Sequence, residues 1–153
     1  ARRFWLMKCE PAAYTIDDLA RDGLASWEWV RNYQARNFMR DGMQEGDGVL
    51  FYHSSCAVPG IAGIAEVASG PYPDESQFDK KSHYFDPKAT REQPRWVSVD
   101  VRATREIDFI PLTELRTMPE LEGMELLRKG SRLSVSPVTA AEWKAILKRA
   151  KAA

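Results

Sequence analysis

The sequence predicts an α+β protein built on a barrel-like mixed sheet of about six short strands with short flanking helices. Three observations predict it. Apolar runs of strand length recur along the chain, at 4–7, 49–52, 61–69, 96–102, 106–110 and 132–135. The helical patterns between them are short and irregularly placed, without the strand-helix alternation of a parallel α/β sheet. One amphipathic helix then closes the chain after Thr139. At 153 residues the chain makes one domain, 1–153, able to bury roughly two-thirds of its unfolded surface.

The first run, Phe4-Trp5-Leu6-Met7, is continuously apolar, as a strand buried on both faces must be, and Pro11 ends it. Thr15 then caps a helix over IDDLARDG. Asp17 and Asp18 lie in its positive first turn and Gly23 terminates it. Asn32 caps a second helix reaching about Met39, with Ala35, Phe38 and Met39 on one face and Gly42 at its end; Arg36 and Arg40 share an exposed stripe. Val49 to Tyr52 form a β-branched and aromatic strand that stops at His53-Ser54-Ser55. In the next strand Gly63 marks a close backbone approach or a bulge.

Residues 70–94 hold four prolines and no sustained period, yet Tyr72, Phe78, Tyr84 and Phe85 argue for an ordered loop lying over the barrel mouth. Trp96 to Arg102 alternates with period two, its valines on one side. Glu106 to Ile110 reads as a separate return strand closed by Pro111, and Arg132 to Val135 as a last strand broken by Pro137. Thr113 starts one helical turn, and Leu121 to Leu127 fits neither period. Thr139 and Glu142 make a capping box for a final helix that buries Trp143, Ile146, Leu147 and Ala150 and leaves Lys144, Lys148, Arg149 and Lys151 in solvent.

Composition bounds the function. Twenty-two basic residues balance 22 acidic ones, so attraction to nucleic acid has to come from a local patch and not from net charge. No apolar run nears the ~20 residues that span a bilayer, and the N-terminal segment lacks a secretory h-region. An intracellular chain is expected, cytoplasmic in a bacterium and nuclear in a eukaryote. Cys9 and Cys56 are too few for a disulfide framework and read as reduced, buried thiols.

The segments WLMKCEP (5–11), VRNYQARNFM (30–39), GDGVLFYHSS (46–55), PGIAGIAEV (59–67), WVSVDV (96–101) and RLSVSPV (132–138) together resemble the successive motifs of the EVE domain family. They resemble in particular its thymocyte nuclear protein group. The similarity implies a PUA-like fold, similar to that of YTH domains, which hold a methylated adenine in an aromatic cage. It also implies a reader of modified bases, with modified cytosine in DNA as the substrate class.

On that resemblance Trp27, the tryptophan ahead of VRNYQARN, corresponds to one wall of a cage. Tyr84 or Phe85 would supply the other, unless Trp27 is core. Trp29 stands where family members typically carry Gly, and three placements are open to it: lining the pocket, extending the DNA platform or packing outside. Lys8, Glu10, His53, Ser54 and Ser55, at the ends of the first and third apolar runs, supply polar groups that can read a base edge if those strands are neighbours. His53 reads equally as a hydrogen-bonded strand-end residue, and Lys8 with Glu10 as a surface ion pair. Arg31, Asn32, Arg36 and Arg40 are the expected phosphate contacts. Arg132 and Ser134 match a family motif without an assigned role.

Neither a cofactor, a metal nor a catalytic residue is expected. His53 and Cys56 lack a readable nucleophile geometry, and His53, Cys56, His83 and Cys9 do not form the two tight ligand pairs of a zinc site. The expected partner is nucleic acid, modified DNA ahead of RNA, with no membrane. The alternatives are an RNA-binding PUA-like module and a small-molecule enzyme using the same cavity.

Overall fold

The computed structural model describes residues 2–131 and 133–152. In chain order the elements are β1 (Phe4–Cys9), α1 (Ile16–Asp22), β2 (Leu24–Trp27), α2 (Tyr33–Asn37), β3 (Gly48–His53), β4 (Gly60–Val67), β5 (Tyr72–Pro73), β6 (Val97–Pro111), α3 (Leu112–Leu115), β7 (Val135–Val138) and α4 (Ala140–Ala152). The strands form one mixed sheet in the order β2-β6-β4-β3-β1-β7, with β5 on β6. Among the described residues only β1 and β3 pair in parallel. This is the mixed α+β sheet that the apolar runs predict.

Because β1 and β3 are central, they are buried on both faces, and their side chains feed two separate cores. Trp5, Met7, Val49 and Phe51 point to the face covered by Leu19 of α1 and Ala35 of α2. Leu6, Leu50 and Tyr52 point to the opposite face, under Leu115 of α3 and Trp143 and Ile146 of α4. Two capping boxes fix helix starts. Thr15 and Asp18 bond each other's backbone amides at α1, and Thr139 and Glu142 do so at α4. Gly23 ends α1 with φ +78.

Four expectations change. Residues 96–110 are not a hairpin: β6 is a single 15-residue strand. Ala103-Thr104-Arg105 has no turn-forming residue, and the strand bends instead at register shifts against β4, between Ile61 and Gly63 and between Ile64 and Ala65. The last strand begins at Val135, not Arg132, and runs through Pro137; Pro is tolerated because β7 is a sheet edge. Arg132 itself lies outside the described residues, as do the side chains of Glu106 and Lys151. The second helix stops at Asn37 and continues as a π turn, Phe38–Gly42, closed by the Met43 amide on the Phe38 carbonyl. Finally, Arg149 is not simply solvated, since it pairs with Glu114 and ties α4 to α3.

Gly63 is a point of close approach. A Cβ there would lie 2.5 Å from Ile16 Cγ1, so the glycine lets α1 settle onto β4. Among the described residues, no helix is long and apolar enough to cross a membrane.

Candidate nucleic-acid interface

The segment between β2 and α2 meets the long loop 70–94 along one side of the molecule. Trp27, the last residue of β2, turns its ring into the core, where it packs edge-on against Phe51 with centroids 5.5 Å apart. It is 8% exposed. Trp27 is therefore a core residue and not a free wall. Two residues on, the backbone of Trp29 takes φ +70, and its amide donates to Asp74 Oδ2 at 2.8 Å. That conformation turns the Trp29 side chain outward, 51% exposed, and lays its ring on Tyr84. The two rings are 5.2 Å apart and 6° from parallel.

Asp74 is fully buried and organises the junction. It accepts from the Trp29 amide, from the Ser76 amide and hydroxyl, and from Arg31 Nη1. Burial pushes its carboxyl up, but these hydrogen bonds outweigh burial and hold it below the usual carboxylate range. Arg31 spends all of its guanidinium donors here. Nε and Nη2 reach the Tyr84 carbonyl, Nη2 also the Ser76 hydroxyl, and Nη1 the Val30 carbonyl and Asp74. Gln77, also buried, clips the loop to β6: its amide donates to the Asp74 and Trp96 carbonyls and accepts from the Arg95 and Trp96 amides. These bonds explain why a loop of this length is ordered.

The planar groups here continue as a ladder. Beyond the Trp29–Tyr84 pair, the Arg31 guanidinium sits 5.5 Å from the Tyr84 ring and 5.3 Å from Trp96. Trp96 then stacks on Tyr33 at 4.8 Å, and Arg36 lies 4.8 Å from the Tyr33 ring. Tyr33, like Trp29, is 51% exposed. Arg95 Nη1 donates to the Tyr33 hydroxyl at 3.1 Å.

The sequence-predicted site residues divide. Trp29, Tyr84 and Arg31 come together, but Arg31 is a structural clamp with no donor left for phosphate. Asn32 is occupied as the cap of α2, accepting from the Ala35 amide. Arg40 is held by Asp41 through two hydrogen bonds, and Arg36 lies over the Tyr33 ring. Phe85 is half-buried, its amide bonded to the Ser82 carbonyl.

The polar group lies elsewhere. β1 and β3 are neighbours, so their ends do converge, but the register pairs Lys8 with Tyr52 and Cys9 with His53. Lys8 and His53 thus project to opposite faces of the sheet. Burial lowers the Lys8 ammonium pKa, against the charge of Glu125 and not of Glu10, which is exposed. His53 Nε2 accepts from the Ile16 amide at 3.2 Å, the strand-end histidine role. The Ser54 amide bonds the Cys9 carbonyl, and Ser55 takes φ +54 in the turn that follows. Among the described residues no hydrogen bond or ring contact joins Lys8, Glu10, His53, Ser54 or Ser55 to Trp29, Tyr84 or Phe85. Sequence reasoning missed Asp74, Gln77, Tyr33 and Arg95. The exposed aromatic in YQARN was the only available signal.

Cys9 and Cys56 are unbonded to each other. Burial and the neighbouring Glu10 and Asp18 push the Cys9 thiol up to about 11.

Residues 3–149 match the EVE domain family. Mouse thymocyte nuclear protein 1 is 40% identical over 164 residues, covering 94% of this chain and 72% of that protein. The structure of a Pseudomonas syringae protein matches with TM-score 0.91 at 50% identity, covering 95% of this chain and 98% of that one. Human THYN1 in complex with 5-methylcytosine-containing DNA matches with TM-score 0.90 at 37% identity, covering 97% and 98%. At 17% identity and TM-score 0.57, covering 97% and 86%, the YTH domain of Zygosaccharomyces rouxii MRB1, solved with N6-methyladenosine RNA, shares the fold alone.

Proposed function

The chain belongs to the EVE domain family, and from that premise we propose that it is a non-catalytic reader of nucleic acid that stacks a modified cytosine of DNA on Trp29. The observation that carries this reading is the outward-facing Trp29 ring, backed by Tyr84 and fixed through Asp74, on a chain similar over 97% of its length to a protein solved with 5-methylcytosine-containing DNA. A flipped base has to recover a few kcal/mol of lost stacking, and an aromatic platform returns about 1–3 kcal/mol per base. Trp29 and Tyr84 touch each other directly, so the base extends the ladder on the solvent face of Trp29.

The non-catalytic part of the reading is supported by the thiol at Cys9, which stays protonated near neutral pH, and by His53, whose Nε2 is committed to a backbone amide. With a formal charge of zero, affinity comes from positioned arginines and carries a salt dependence.

The test is a binding titration with 5-methylcytosine and plain-cytosine DNA, and with RNA of the same sequence, read by fluorescence anisotropy. Preference for methylated DNA, lost in Trp29→Ala, is expected. Equal affinity for both DNAs, or an unaltered preference in Trp29→Ala, overturns the reading. Tighter binding of the RNA points to the RNA-binding alternative, and salt-insensitive capture of a free nucleoside points to a small-molecule site.

A further inference from the structure

We infer that Tyr33, Arg36 and Arg95 form a second nucleotide subsite, which grips one phosphate of the strand whose modified base stacks on Trp29. The inference rests on the reading above and adds to it a place for the flanking backbone.

Donor accounting sets Arg31 apart from these two arginines, and close pairing with a carboxylate sets Arg40 and Arg91 apart. A guanidinium carries five N–H donors. Arg31 has spent all of its own on Tyr84, Val30, Asp74 and Ser76. Arg40 is closed by Asp41, and Arg91 by Glu75 at 3.0 Å. Arg36, in contrast, uses Nε and one Nη2 donor on Asn37 Oδ1 and one Nη1 donor on the Arg95 carbonyl, which leaves two. The Arg95 guanidinium makes a single hydrogen bond among the described residues, to the Tyr33 hydroxyl, and the side chain is 38% exposed. Asp86 Oδ2, which accepts from the Trp96 indole at 2.8 Å, makes a long ion pair with Arg95 Nη1 at 4.0 Å, without a hydrogen bond between them.

The two groups are also held in place. Arg36 is pinned over the rings of Tyr33 and Trp96, and its bond to the Arg95 backbone fixes where the Arg95 side chain starts. Burial and the nearby charges of Arg40 and Arg95 lower the Arg36 pKa, against Tyr33 and Asp41. The fold thus keeps like charges together where a bound anion relieves them. A tetrahedral phosphodiester suits two guanidinia and a tyrosine hydroxyl, the groups that position a nucleic-acid backbone without reading sequence. The aromatic ladder connects this subsite to Trp29 through Trp96, Arg31 and Tyr84, so one continuous set of contacts joins the site that reads the base to the site that grips the backbone.

The experiment uses the whole chain and single-stranded DNA carrying one 5-methylcytosine. Neutral methylphosphonate linkages are placed one at a time beside the modified base, and affinity is measured across a salt series. Wild type is expected to lose affinity at one particular linkage. The Arg36→Gln/Arg95→Gln variant is expected to become indifferent to that linkage, to lower the slope of log K against log salt by about 0.7, and to weaken methylated and plain DNA alike. A wild type equally tolerant of every neutral linkage overturns the subsite without any variant. So does an unchanged slope in a variant whose thermal unfolding matches wild type. Retained methyl preference in either case leaves the Trp29 reading standing, whereas failure of wild type to bind any oligonucleotide removes both.

Discussion

Trp29 and Tyr84 lie parallel, 5.2 Å apart, although the Trp29 backbone occupies the left-handed region at φ +70. A bulky residue there costs on the order of 1–3 kcal/mol, a cost that glycine would not carry. The ring recovers part of that through its stack on Tyr84, about 0.5–1.5 kcal/mol. A strained, half-exposed tryptophan is a poor stability device and a good contact surface.

Trp29→Gly therefore separates the two roles. Relief of strain and loss of the stack nearly cancel, so stability should stay within about 1 kcal/mol of wild type in urea unfolding. Affinity for methylated DNA should fall by about 1–3 kcal/mol, from severalfold to more than a hundredfold. A variant that unfolds much earlier, or binds as before, assigns Trp29 to the scaffold.

Arg31→Gln should act in the opposite way. Asp74 has no exposed surface on its side chain and Arg31 only 22%, so removing the guanidinium strands a buried carboxylate and frees the Tyr84 carbonyl. The carboxylate keeps its Ser76 and Trp29 donors, which places the loss near the low end for a broken buried pair, about 3 kcal/mol. Amide exchange should rise first in residues 70–94. The salt slope of binding should not change, because Arg31 has no donor for phosphate.

Local rules made much of the fold legible and left the site only half so. Continuous apolar runs located β1 and β3, and the Thr15 and Thr139 capping boxes located two helix starts, because those signals lie within a few residues of their effect. Lys8 and His53 were placed at the right strand ends but on opposite faces, since a parallel register of Lys8 on Tyr52 cannot be read from either strand alone. Asp74 acts on Trp29 and Arg31 across more than 40 residues of chain, so nothing near it in sequence reveals the role. Trp27 and Trp29 look alike as letters, and only the turn between them sends one ring inward and the other out.

His53 gives the chain a pH signature. Burial lowers its pKa from the ordinary 6.5, against the charge of Asp17, and its Nε2 must stay unprotonated to accept the Ile16 amide. The folded state therefore binds this proton less readily than the unfolded chain. Its contribution is complete above about pH 6.5 and is lost as pH falls from there through the depressed folded value. Urea midpoints should drop between pH 7 and 5, and His53→Gln, which retains an acceptor, should flatten that part of the curve. An identical pH profile in the variant would show that other groups set it.

Gly63→Ala tests how α1 is seated. The added methyl would sit 2.5 Å from Ile16 Cγ1 and 2.6 Å from Cδ1, so either the Ile16 side chain turns away or the helix lifts off β4. Overpacking of this kind costs about 1–3 kcal/mol. Because the clash is with one side chain, shortening that side chain should relieve it, and Gly63→Ala/Ile16→Ala should be more stable than the sum of its single changes allows, by at least about 0.5 kcal/mol. The cycle is read from urea midpoints of the four proteins. Strict additivity would place the strain in the backbone at the β4–β6 register shift, and the close approach of α1 would then be incidental to why glycine stands there.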